Sequence, residues 1–437
     1  MDKTEIFEIL LDWNYWKNNL ETGIPRKGYL DACLRLIKPN VILAIIGARR
    51  AGKSYVMRQM AKKMIDGGLQ PKEILIVNFE DRRFTDFSPK LLERIYETYL
   101  EYLKPSAAPY IFLDEVHNIS GWERWVRTMH ELKKAKIIIS GSSSKLLSGE
   151  LATVLTGRHL DVAVFPIAFR EFLDFNGIEL KDTIDILAKK IQLQGMLREY
   201  MEWGGFPEVV LSKEKTELLF TYFDDIITKD IERRYKVRKG EILRSLARFY
   251  LTNISKPVTF NSIKGFVNAT IATIDKFSGY FEEVNLLFFI RRFSFSTKEQ
   301  EKSPRKVYSV DVGLSNAIGF RFSENIGRIA ENIVAVELKR RQSQNQAIEI
   351  YYWKDQYGKE VDFIIKEQLK IRQLIQVCWN LKDRETRKRE IKALLKASEE
   401  LRNDNLLVIT EEHETEEKIR GKTIKFVPLW KWLLEQK

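Results

Sequence analysis

Between residues 41 and 165, short unbroken apolar runs alternate with longer segments whose apolar residues recur every three or four positions. The runs fall at 41–46, 74–79, 110–113, 137–139 and 160–165, and Val and Ile dominate the first two and the fourth. Runs this short, with no polar alternation, predict strands buried on both faces, as parallel strands are. The periodic segments 55–66 and 91–102 predict helices. The alternation therefore predicts an α/β fold with a parallel sheet and helices on both faces. Ahead of it, Ile6, Ile9, Leu10, Trp13 and Trp16 recur at helical spacing over 5–19, and Gly23-Ile24-Pro25-Arg26 ends that helix.

From residue 166 the pattern turns helical. Segments 168–175, 184–203 and 213–234 read as helices, interrupted by Gly204-Gly205-Phe206-Pro207, and together predict a helical lid over 166–235. Three further helices follow at 241–253, 259–267 and 270–285. Two β-runs, 286–290 and 306–310, flank a polar loop at 294–305. That order predicts a winged helix over 236–312, with its third helix toward a DNA groove and its wing on phosphate. The remainder, 313–437, begins with a helix at 325–340 carrying Glu331 and Glu337. Hairpin strands follow at 348–353 and 361–365, the second carrying Asp362, then a strand at 374–379, a helix at 384–401 and a strand at 406–409. This is the order of a restriction-endonuclease-like core, where carboxylates on adjacent strands hold Mg²⁺ and a lysine polarises water. The third strand reads Gln376-Val377-Cys378, without the carboxylate and lysine such a site needs, so an inactive binding or scaffold domain is expected.

The chain has 437 residues, 44% of them apolar, enough for several cored domains. Its two cysteines, Cys33 and Cys378, and four scattered histidines predict neither a disulfide framework nor a zinc cluster. No apolar run approaches the ~18 residues of a membrane span. The opening Met-Asp-Lys-Thr-Glu lacks a signal-peptide core, so a cytoplasmic setting is expected. A net charge of +12 favours nucleic acid, DNA in the first instance, as partner. Lys264, Lys276, Arg291 and Arg292, with the wing residues Lys298, Lys302 and Arg305, would supply contacts.

The sharpest chemistry lies at the end of the first run. Gly47-Ala48-Arg49-Arg50-Ala51-Gly52-Lys53-Ser54-Tyr55 places two glycines, a lysine and a hydroxyl between a strand and a helix. Such a loop cradles phosphate with its N–H groups at a helix N-terminus. Lys53 would reach the β/γ-phosphates and Ser54 would bind Mg²⁺. One strand–helix unit later, Asp114-Glu115 closes an apolar run. Asp114 would hold Mg²⁺ at the strand's C-terminal edge and Glu115 would act as general base on water. In the next run, Ser142, with Ser140 close behind, would sense the γ-phosphate, although turn chemistry accounts equally for a Gly/Ser cluster. Arg158 would stabilise the transferring phosphoryl group, in cis or in a neighbouring subunit of a homo-oligomer. Arg26 would lie beside the nucleotide base. Gly47, Asp114, Ser142 and Arg158 are all expected at C-terminal strand edges. His117 and His159 read as structural.

The loop at 47–54, the acids at 113–115, the serines at 140–144, Gly157-Arg158, Phe165-Pro166-x-x-Phe169-x-Glu171-Phe172, Gly204-Gly205-Phe206-Pro207 and Gly358-x-Glu360-Val361-Asp362-Phe363 together carry a resemblance. Over essentially its whole length the chain resembles the archaeal and bacterial AAA-type ATPases of mobile-element character, which carry a winged helix and a C-terminal nuclease-like domain of unknown function. The resemblance implies ATP and Mg²⁺, an AAA-like core with its lid, and no settled substrate. The expectation is a Mg²⁺-dependent ATPase acting at DNA. A slow nucleotide switch that docks a protein partner and an ATP-regulated, metal-dependent nuclease are the alternatives.

Overall fold

A computed structural model describes residues 1–37, 41–142, 157–320 and 326–435. They form two compact units, one of residues 1–164 with 283–285 and the other of 165–282 with 286–437.

The first unit is built on five parallel strands: β1 (Ile42–Ile46), β2 (Ile74–Asn78), β3 (Tyr110–Asp114), β4 (Lys136–Gly141) and β5 (His159–Ala163). Their order across the sheet is β2-β3-β4-β1-β5. Every residue of β1 is buried, as a strand covered on both faces requires. The helices are Lys3–Asp12, Lys27–Leu36, Lys53–Asp66, Pro89–Leu103 and Trp122–Glu131. The first is shorter than its periodicity predicts. It begins with a capping box between Asp2 and Glu5 and ends at Trp13. The next residue, Asn14, turns its amide onto the edge strand β2: its Nδ2 donates to the Ile76 carbonyl at 2.9 Å and its Oδ1 accepts the Ile76 N–H at 2.7 Å. Trp16 Nε1 donates to the Ile74 carbonyl at 2.9 Å. The apolar spacing thus continues past the helix because these residues cap an open sheet edge, which would otherwise expose unpaired backbone groups.

Register fixes what can meet. Asn78 lies level with Asp114, and Ile46 with Gly141, so the ends of β1 to β4 form one C-terminal edge. Arg158 is not on it. His159 is level with Ile42, and the Ile42 N–H donates to the Arg158 carbonyl at 2.8 Å. A residue that precedes a parallel strand sits at the N-terminal edge, so the expectation that Arg158 shares an edge with Gly47 is corrected.

The second unit opens with the helices Phe169–Phe175, Thr183–Ala188, Lys190–Trp203, Pro207–Leu211 and Lys215–Asp225, the last running into a wider π-type stretch, Ile226–Arg233. Gly204 and Gly205 are explained by a long-range contact. A Cβ on Gly204, at φ 75°, would fall 2.2 Å from Asp311 Oδ1, and the Gly205 N–H donates to Asp311 Oδ2 at 2.6 Å. Next come the helix Gly240–Thr252, strand β6 (Pro257–Val258), the helices Phe260–Val267 and Ile271–Glu283, and strands β7 (Leu287–Arg292) and β8 (Arg305–Ser309). The expected polar loop at 294–305 contains a short helix, Thr297–Lys302.

The helices Val312–Ile318 and Ile326–Gln344 lead to β9 (Ile348–Lys354), β10 (Glu360–Glu367) and β11 (Lys370–Val377). After the helix Arg384–Leu401 come β12 (Leu406–Thr410), β13 (Thr415–Ile419), β14 (Lys422–Pro428) and the helix Leu429–Leu434. Strand β7 runs parallel to β9 through Arg291 with Tyr351 and Arg292 with Tyr352. One sheet of nine strands therefore spans the segment, in the order β13-β14-β12-β11-β10-β9-β7-β8-β6.

Candidate nucleotide site

The loop after β1 owes its course to backbone freedom. Gly47 has φ 148°, and a Cβ there would lie 2.0 Å from the Val164 carbonyl oxygen. Gly52 has φ 95° and caps the helix Lys53–Asp66, while Arg50 adopts the left-handed conformation at φ 65°. Alternating right- and left-handed backbone turns N–H groups toward one concavity, and a 14-residue helix adds its positive end there. Ala48 and Ala51 are buried beneath the loop. Arg26 braces it. Its guanidinium is 2% exposed and donates to the Ala51 carbonyl at 2.8 Å. That bond holds the Arg26 side chain against the loop backbone, and its guanidinium also lies 4.4 Å from the centre of the Tyr29 ring. Tyr55, in the first helical turn, is exposed and receives the Arg58 guanidinium over its ring at 5.2 Å.

The two acids meet the lysine of this loop. Lys53 Nζ donates to the carbonyls of Gly47 at 3.2 Å and Ala48 at 3.1 Å, and pairs with Glu115 Oε1 at 3.3 Å. Glu115 follows the end of β3 in the left-handed conformation, φ 52°, which turns it back toward β4. There Ser140 joins the pair: its hydroxyl donates to Asp114 Oδ1 and accepts the Glu115 N–H at 2.9 Å. The Ser54 hydroxyl also hydrogen-bonds Asp114. His117 Nδ1 lies 3.2 Å from Glu115 Oε2. The hydroxyl of Ser142, one residue past β4, is fully buried and has no hydrogen-bond partner among the described residues. Ser143 and Ser144 of the same cluster, and Leu155 and Thr156 before Arg158, lie outside the described residues.

Electrostatics divides the labour between the acids. Burial raises the Asp114 carboxyl, and the charge of Glu115 adds to it, against the bonds from Ser140 and Ser54. Burial pushes Glu115 the same way, but Lys53, His117 and Arg49 outweigh it and hold Glu115 below the usual carboxylate range. Of the two carboxyls, Glu115 is the one its neighbours favour in the ionised form. A hydroxyl and a carboxyl in contact, both hard oxygen donors, suit Mg²⁺, which takes one or two protein ligands alongside phosphate and water. Ser140 and His117 thus stand in contact with the two acids. The signal for Ser140 was its alignment at the end of β4, beside β3.

The remaining candidates are dispersed. Arg158 pairs with Glu131 at 3.1 Å. Lys264 and Lys276 are exposed on successive helices. Arg291 pairs with Glu301 at the surface, and Arg292 Nη2 donates to the Lys354 carbonyl at 2.5 Å where β7 joins β9. In the C-terminal segment Glu331 and Asp362 do converge, but around Lys306, whereas Glu337 pairs with Arg340 and Arg341. Among the described residues no helix is long and apolar enough to cross a membrane.

Comparison with known proteins agrees with the loop chemistry. Residues 39–173 match the AAA domain family; residues 194–325 and 326–432 match two domains of unknown function, DUF8612 and DUF4143. The chain is 35% identical to an uncharacterized protein, MJ1544, of Methanocaldococcus jannaschii, over 99% of this chain and 96% of that protein. An uncharacterized protein of Haemophilus influenzae is 29% identical over 79% of this chain and 84% of its own length. Among solved structures, the Walker-type ATPase PABY2304 of Pyrococcus abyssi aligns with 69% of this chain and 99% of its own, at 14% identity and a TM-score of 0.39.

Proposed function

This chain belongs to the same family as the Methanocaldococcus jannaschii protein MJ1544 and is an AAA-type P-loop ATPase, and from that premise we propose a Mg²⁺-dependent hydrolysis of ATP coupled to work at DNA. The observation that carries the chemistry is the meeting of Lys53, Ser54, Asp114 and Glu115 at one strand edge. Amides of residues 47–54 surround the phosphates. Lys53 exchanges its loop carbonyls and Glu115 for the β/γ-phosphate oxygens. Ser54 and Asp114 would hold Mg²⁺, which when bound would supply positive charge against the phosphates. Glu115, freed from Lys53, orients the attacking water and takes its proton. Ser142 offers its buried hydroxyl to the γ-phosphate. Arg158, at the opposite edge, is left for a neighbouring subunit's nucleotide in a homo-oligomer.

In this proposal residues 1–165 are the motor, 166–235 its lid, 236–312 a winged helix and 313–437 a restriction-endonuclease-like module, in a cytoplasmic protein. The net charge of +12 supports a nucleic-acid partner. The engagement of Arg292 by the Lys354 carbonyl supports the second reading, a slow nucleotide switch that docks a protein. Glu115→Gln is expected to keep ATP binding and lose on the order of 10²–10⁴-fold in turnover; a variant with near-full turnover overturns the base. Turnover stimulated by single-stranded, duplex or branched DNA supports the first reading. A rate indifferent to DNA, with salt-independent partner binding, supports the switch.

A further inference from the structure

Lys306 reads in the sequence as one more basic residue of a hairpin, yet it is 1% exposed. Its ammonium lies 2.9 Å from Glu331 Oε1, 2.7 Å from Glu360 Oε1 and 2.9 Å from Asp362 Oδ1, so its three N–H donors meet three carboxylates. The acids come from two elements, Glu331 from the helix Ile326–Gln344 and the other two from β10. The lysine comes from β8, which is separated from β10 by β9 and β7 in the sheet.

The rest of the carboxylate capacity is taken up as well. The Tyr308 hydroxyl donates to Glu331 Oε1 at 2.7 Å, the Val377 N–H to Asp362 Oδ2 at 2.9 Å, and Lys354 Nζ to Glu360 Oε2 at 3.0 Å. Gln376, standing where a metal-dependent nuclease core has its next acid, accepts the Asp362 N–H at 3.3 Å and donates to Glu390 at 2.6 Å. Burial and Asp362 push the Glu331 carboxyl up to about 8, against the pull of Lys306. With the Lys306 ammonium in place, no group of three or more His, Cys, Asp or Glu side chains among the described residues is disposed to hold a metal.

The residues therefore do not fit the catalytic metal that a restriction-endonuclease-like core implies. We propose that Lys306 is a built-in cation: its ammonium fills the position among Glu331, Glu360 and Asp362, so this module holds no catalytic metal, does not cut, and uses the cluster to clamp β8 to β10 and to the helix Ile326–Gln344. The inference is independent of the nucleotide chemistry at residues 47–54. Its corollary is a latent site: without the ammonium, three acids face one void and take a divalent ion through hard oxygen donors.

The test uses the nucleotide-free full chain and Mn²⁺ as probe, followed by thermal melting. The nucleotide loop is the same in every variant, so only differences between variants report on the cluster. Wild type is expected to melt alike with and without Mn²⁺, apart from any shift shared by all variants. Lys306→Ala should melt several degrees lower and regain most of that loss in Mn²⁺. Should Lys306→Ala fail to fold, the charge-balanced Lys306→Met/Asp362→Asn pair is expected to fold and to show no extra response to Mn²⁺. Three results overturn the proposal: a Mn²⁺ stabilisation of wild type that Asp362→Asn abolishes, a Lys306→Ala variant as stable as wild type without added ion, or a double variant that responds to Mn²⁺. Mn²⁺-dependent cleavage of plasmid by wild type, lost in Asp362→Ala, overturns it equally.

Discussion

Lys53 and Lys306 are both buried and both face acids, yet their surroundings differ in kind. Lys53 reaches two loop carbonyls at 3.1 and 3.2 Å and one carboxylate at 3.3 Å. Beside it stand a strained arginine backbone and an unpartnered serine hydroxyl. Lys306 has three carboxylates at 2.7–2.9 Å, each with a further donor. Long contacts to backbone oxygens are given up readily when phosphate offers stronger, charge-assisted bonds. A saturated buried cluster is not, because removing one partner strands the others without solvent. The comparison separates a lysine held ready for exchange from one committed to the fold.

Substitutions of the two lysines should divide accordingly. Lys306→Met is expected to cost about 3–5 kcal/mol of stability, as loss of one partner from a buried ion cluster does; chemical denaturation measures it. Lys53→Met, which leaves Glu115 still facing His117, should cost clearly less stability than Lys306→Met while lowering steady-state ATP turnover on the order of 10²–10³-fold. Equal stability losses in both would erase the distinction. Ser140→Ala probes the scaffold of the exchangeable site. It removes the donor to Asp114 and the acceptor of the Glu115 N–H, at about 1–3 kcal/mol, and turnover should fall more than ATP affinity.

The smallest effect sharpens the contrast through pH. Burial raises Asp311 to about 6, against amide bonds from Gly205, Leu314 and Gly313. A carboxyl raised in the folded state binds its proton more tightly there than in the unfolded chain. Its contribution is therefore present in full below the unfolded value near 4 and is lost as pH rises through about 6. Asp311 should contribute about 1 kcal/mol more stability at pH ~5 than at pH ~7, and Asp311→Asn should remove that share from denaturation curves.

What the sequence makes legible follows from how local each cause is. The nucleotide loop, Asp114, Glu115 and the strands β1 to β4 are written in contiguous residues, because strands covered on both faces need unbroken apolar runs. The helix Lys27–Leu36 went unforeseen since Cys33 is its one buried residue and no stripe marks it. The alternating β13 and β14 were missed for a similar reason, their exposed polar positions reading as solvated loop. Arg158 was placed at the wrong edge although its position ahead of β5 already implied the correct one. Lys306 could not be read at all: its partners lie 25, 54 and 56 residues away in sequence, and nothing near it signals burial.

The junction of β7 with β9 has a mechanical consequence. Through that junction, β6 to β8 and β9 to β14 share one hydrogen-bonded sheet rather than being joined by the chain alone. Severing the chain between β8 and β9 would not release two self-contained pieces. It would leave each with a raw, adhesive border, prone to pair with whatever strand it meets first.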